Sequence, residues 1–323
     1  MYKRQLSAKV GGGVKALLDG DVSNAATVKV EATGNNRADA EALAIAVGLF
    51  SGAGVGADAL ITDSADVEAV IDANASLTLP GTQVQVLASN TNIAISETIG
   101  VSVAGLALQG MDINSRIDGS TRAFVDHGAS IDAGSLEVDA DATSTSTANV
   151  TSVSVGLAAG GGASINAIDR HLVEAFIGPA QGASSAGTPA SISTSGDIAV
   201  RAGITSRADA EGSLTGVGIG VSASFANVTA TASPTVRAFL GANAQITAAN
   251  NVFIEADADA LATSTGGGVG VGLGSYSGSQ TTANASPSVS AFTDSGASIS
   301  ASGAITIDAT AINRATADAV GTS

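Results

Sequence analysis

Cysteine and tryptophan are absent from this 323-residue chain, and only 2 Tyr, 2 Met and 5 Pro are present. Without cysteine there are no disulfides and no thiolate metal sites. Secreted eukaryotic modules often depend on disulfides, so a cysteine-free surface protein points to bacteria. Basic residues are scarce: 13 Lys and Arg stand against 29 Asp and Glu, a formal net charge of −16. Phosphate recognition needs Lys/Arg clusters, which argues against nucleic acid or an anionic membrane as partner. Aromatics are 3% of the chain, too few to stack sugars as a polysaccharide-cleaving enzyme would. Helix-period patterns are nearly absent. Met1-Tyr2-Lys3-Arg4-Gln5 has no apolar run behind it, so no signal peptide is expected at this start.

Glycine (40 residues), Ala, Ser, Thr and Val fill the space these absences leave, with a mean hydropathy of +0.34. That is too apolar for a charged disordered chain. The apolar surface must be buried through many small side chains, each CH₂ contributing about 0.8 kcal/mol. Stability then rests on backbone ladders and on close approach of sheets.

The sequence repeats. Ala123-Phe124, Ala175-Phe176, Ala238-Phe239 and Ala291-Phe292 recur, degenerating to Ala69-Val70 and Ala16-Leu17. These anchors define one array over 1–323, with units of about 53 residues beginning near 17, 70, 124, 176, 239 and 292. One interval is longer and carries the insertion 178–189. After four anchors, a Gly or Asn stands at the same corner: Asn74, Gly128, Asn243 and Gly296. An alternating segment follows, such as Leu136-Glu137-Val138-Asp139-Ala140, with apolar residues on one face and mostly charge on the other. Val-rich, Gly-rich stretches come later in the unit, as in Val217-Gly218-Ile219-Gly220-Val221.

An all-β solenoid satisfies this pattern, because stacking units buries a core that no single unit has. Strands of about six residues and roughly three coils per unit are expected; tandem β-sandwich modules are the alternative. No polar cap is evident at either end, so a longer array, or neighbours that cap it, is expected.

The pattern resembles the repeats of giant bacterial filamentous adhesins, the leukotoxin-like filamentous adhesin family in particular. The matching residues are the anchors Ala175 to Gly178 and Ala238 to Gly241, the strand openings Gly196-Asp197-Ile198 and Gly303-Ala304-Ile305, and the Gly-Val runs. The resemblance covers most of the chain. It implies a secreted or surface-anchored fibre and does not imply toxicity.

Candidate sites are few. Gly156, Gly218, Gly220, Gly270 and Gly272 read as packing or assembly positions, where another sheet or a partner backbone approaches closely. Phe124, Phe176, Phe239 and Phe292 are packing positions at the anchors. Asp139/Asp141 and Asp257/Asp259 are i, i+2 pairs that share a strand face; they read as solvated acids, with Ca²⁺ binding as the alternative. His127 and His171 read as surface residues. Ala42 to Leu60 has the length of a membrane span, but Val47-Gly48-Leu49 aligns it with the Gly-Val strands of other units. The function expected is structural and non-enzymatic: part of an extracellular bacterial fibre, self-associating along the repeat axis or with identical subunits. The alternative is a binding module that holds a host or surface ligand through 178–189.

Overall fold

The computed structural model describes residues 2–183 and 187–322; part of the 178–189 insertion therefore lies outside the described residues. The described residues contain strands and no helix, so none is long and apolar enough to cross a membrane. Ala42 to Leu60 lies within the strand Val28–Ile61. The strands form one 12-stranded and one 6-stranded sheet. Each sheet runs through successive units, so the units are coils of one solenoid and not discrete sandwiches.

Each unit is a single large coil, not three small ones. Leu136 pairs with Val84 in the preceding unit and with Ile198 in the following one, in parallel register. Short strands open the coils: Val14–Leu18, Val67–Ile71, Ser120–Val125, Leu172–Ile177, Thr235–Leu240 and Ser288–Thr293. They form the smaller sheet, and the six anchors stack in one column, Leu17, Val70, Phe124, Phe176, Phe239 and Phe292. A corner follows each. At Gly128, Asn243 and Gly296 it is turned with positive φ, which a Cβ disfavours and Gly or Asn tolerates. Asn74 does not adopt it.

The chain then enters strands far longer than six residues: Val28–Ile61, Ser76–Ile117, Ser130–Asp169 and Ile198–Ala232 span 34, 42, 40 and 35 residues. Each runs outward, folds back about two-thirds of the way along and returns as a shorter arm. Ser115 Oγ donates to the Ala94 carbonyl oxygen at 2.7 Å, and Ser96 Oγ to that of Asn114 at 2.6 Å, linking the outgoing and returning arms. The result is a two-layer blade projecting from a wider head.

Side-chain size grades along this profile. The head holds a core of Val, Ile and Leu, including Leu77, Val86, Ile131, Leu136, Ile192, Ile198 and Ile254. The blade base holds mostly Ala, with a few larger residues such as Ile113, Ile165 and Leu214. Towards the tip the interior is Ser, Gly and Thr, including Thr98, Ser102, Ser152, Ser154, Ser222, Ser224 and Ser264. Smaller inward side chains let the two layers approach more closely.

Parallel in-register stacking places equivalent residues side by side, so a conserved charge in one column would repel itself. On the outer face of the smaller sheet this is avoided by alternation. Lys15, Glu68, Arg122, Glu174 and Arg237 occupy one column, with ion pairs of 3.3, 3.6, 3.2 and 3.0 Å along it. One coil's slip would put like charges opposite one another, so the ladder also specifies register.

Candidate assembly surface

Beyond its alanine-rich base the blade is inside out. The residues facing inward are small and polar, whereas Val, Ile, Leu and Phe face outward. Val47, Val103, Val155, Val217 and Val271 form one continuous column across five coils, every one exposed. At the fold-back, Leu49, Leu157, Ile219 and Leu273 are 76%, 62%, 73% and 93% exposed. Beneath this crest a shallow groove of about 560 Å³ runs along the valine column. No Asp, Glu, Lys or Arg lies in 42–57, 98–111, 142–168 or 212–236. The acids Asp39, Glu41, Glu97, Asp209 and Glu211 begin nearer the head.

The glycines of these strands pack against the chain's own coils. A Cβ at Gly218 would overlap the carbonyl of Val221 on the returning arm; at Gly156 it would overlap that of Ala104 in the preceding coil. At Gly220 it would meet the Leu157 oxygen at 3.1 Å, at Gly270 the Tyr276 oxygen at 3.2 Å, and at Gly272 the Gly218 oxygen at 2.7 Å. Intramolecular backbone therefore fills the space expected for another sheet. The residues left for a partner are the valines and leucines between the glycines. The signal was visible as strict alternation of Val with Gly or Ser. Alternation does not say which set faces in, and hydrophobicity alone assigns the wrong one.

The four phenylalanines do pack as a stack. Ring centroids are 4.6 Å apart for Phe124–Phe176, 4.9 Å for Phe176–Phe239 and 5.0 Å for Phe239–Phe292, all nearly parallel. The spacing follows that of hydrogen-bonded strands.

The acidic pairs are not brought together. Asp139 and Asp141 lie one coil before Arg201 and Gly203, and Asp257 lies one coil after, next to Gly203. Asp259 is held by Arg314 at 2.6 Å. Among the described residues no group of three His, Cys, Asp or Glu side chains is placed to hold a metal ion. Burial, then the charges of Asp141 and Glu137, pushes Asp139 up to about 6 against the opposing pull of Arg201.

His127 lies at the surface, its Nδ1 2.7 Å from Asp126, but His171 does not: it is fully buried. It belongs to a polar layer between the head core and the blade core. Asn36 Nδ2 donates to Asn92 Oδ1 at 3.0 Å, Asn92 Nδ2 lies 3.4 Å from His171 Nδ1, and His171 Nε2 lies 2.8 Å from Thr121 Oγ1. Asn92 donates, so a neutral ring with its proton on Nε2 satisfies both contacts. Asp169, also fully buried, accepts from the His171 backbone N–H at 3.1 Å and from Ser206 Oγ at 2.5 Å. Sequence spacing gave no sign of this layer, because its members come from separate units.

Burial pushes Asp169 up to about 6 and His171 down to about 4. The signs oppose. Asp169 contributes stability below its unfolded value of 3.8, which is lost as pH rises through about 6. His171 contributes stability above 6.5, which is lost as pH falls through about 4. At about 1.4 kcal/mol per pKa unit each is worth a few kcal/mol, and the two offset between pH 7 and pH 4. Asp169→Asn is expected to lose stability on acidification relative to the parent, and His171→Asn to gain it. Urea midpoints at pH 7 and pH 4 check this; equal pH dependence in all three proteins would refute it.

A second concavity, of about 500 Å³, lies where the insertion crosses the smaller sheet. Arg122, Glu174, Arg237, Phe124, His127 and Pro179 are among its walls. No protein-family model, curated protein or solved structure matches the chain.

Proposed function

We propose that this chain is a structural element of an extracellular bacterial fibre, with the solenoid axis as the fibre axis. The observation that carries the reading is the unbroken parallel register across the coils. The same columns, including the phenylalanine stack and the alternating charge ladder, run through the array. Such a ladder extends by adding coils at about 4.8 Å each. The resemblance to filamentous adhesins, the lack of cysteine and the acidic Ser/Thr-rich composition support a surface location.

Electron microscopy and fibre diffraction of the native assembly are expected to give filaments with a reflection near 4.8 Å along their length. Compact monomers alone, at every concentration and ionic strength, would sink the proposal.

The cleft favours a second reading, ligand capture beside 178–189. Under it, a variant lacking 180–187 keeps its filaments and its melting temperature but loses adhesion. Unchanged adhesion would exclude the cleft.

A further inference from the structure

We propose that the valine-column face of the blade is a lateral contact that packs against the same face of a second copy of this chain, joining fibres side by side. The proposal rests on the fibre reading and names the surface by which fibres bundle.

A continuous exposed apolar patch of this kind marks an interaction site on a soluble protein. Its size is sufficient. Five strands at ~4.8 Å, over about six residues at ~3.3 Å, give a face of about 24 by 20 Å, or ~480 Å² on each copy. Two copies together bury about 1,000 Å², the lower bound for a specific interface. Every added coil of the same kind enlarges it.

Periodicity selects the occupant. The groove presents one valine per coil, at the strand spacing of ~4.8 Å. An extended peptide laid along it offers a side chain to one face every ~6.6 Å and falls out of step within two coils. A second solenoid with its axis alongside has the same repeat and offers an apolar crest side chain to four of the five coils, the second carrying Gly105 at that position. Its crest, Leu49, Leu157, Ile219 and Leu273, can then enter the groove under Val103, Val155 and Val217.

Charge agrees with this arrangement. The patch carries none, and the nearest acids of the outgoing arm, Glu41, Glu97 and Glu211, sit six residues, about 20 Å, from the valine column along the strand. That exceeds the ~8 Å screening length at physiological salt. With a net charge of −16 per chain, association should strengthen as salt rises. A bilayer suits the face less well, because sheet edges inside hydrocarbon leave backbone groups unpaired.

The test is sedimentation of the full chain across concentration, at low and high salt, beside the double variant Leu157→Lys, Ile219→Lys. Both side chains point to solvent, so melting should not change. A second variant, Leu157→Ser, Ile219→Thr, introduces no charge. The parent is expected to form dimers or larger species, more so in high salt, and both variants to weaken association at least 10-fold. A parent that stays monomeric overturns the proposal. So does variant association equal to the parent's, since contact through the end coils alone would leave these central positions irrelevant. Binding of a monomeric parent to neutral phosphatidylcholine vesicles assigns the face to lipid and overturns it as well. Single filaments that elongate normally but no longer bundle in the variants separate this contact from the fibre reading, which fails only if elongation itself is missing.

Discussion

Phe239→Ala should cost about 3–5 kcal/mol, the range for removing a buried aromatic ring without collapse of the site. Phe239 is fully buried. Its ring lies between Phe176 and Phe292, with centroids 4.9 Å and 5.0 Å away. The neighbouring rings are fixed by strands whose spacing is set by backbone hydrogen bonds, so they cannot close the gap. Phe292 has a stacking partner on one side and is only half-buried; Phe292→Ala should cost distinctly less. Urea unfolding of the two variants decides the matter. Equal losses would contradict the expectation, because the ring that is fully buried and stacked on both faces would then be worth no more than the half-buried ring stacked on one.

The second large effect is expected at Gly218. Substitution by Val keeps the strand pattern, but the new Cβ overlaps the Val221 carbonyl on the returning arm. Backbone cannot yield as a flexible side chain does, so the cost is at or above the usual 1–3 kcal/mol of overpacking. The chain should melt at lower temperature, or its blade tip should splay and exchange amide protons faster. Val217→Ala, one residue away on the exposed face, should change stability by less than about 1 kcal/mol. If Gly218→Val melted with the parent while filaments failed to form, the glycine would face another subunit and the intramolecular packing would be wrong.

These two sites also show how far the sequence could be read. The Ala-Phe recurrence established the unit and its period without coordinates, because a column of identical residues in parallel register must repeat at the coil length. It also marked residues that stack. Glycine at alternate positions correctly implied close backbone approach. Two things were not legible. One was the number of coils per unit: strand length was judged from turn residues, yet the fold-backs near Gly48, Gly156 and Gly218 are tight and the arms on either side are continuous strands. The other was the burial of His171, which reads as a surface residue in the sequence because its column does not repeat histidine. Its partners Asn92, Thr121 and the neighbouring Asp169 lie in different strands and meet only when the coils stack.

Sequence alone therefore determined the β class, the unit length, the stacked aromatic column and the alternation of faces, since all of these are properties of a repeated local pattern. Tertiary structure decided which face turned inward. Where two arms are drawn together by the fold-back, the space between them is filled mostly by Ser, Gly, Ala and Thr, and the larger Val, Ile and Leu are forced out into solvent. Period-two alternation is symmetric between the two faces; only the distance between the layers breaks that symmetry.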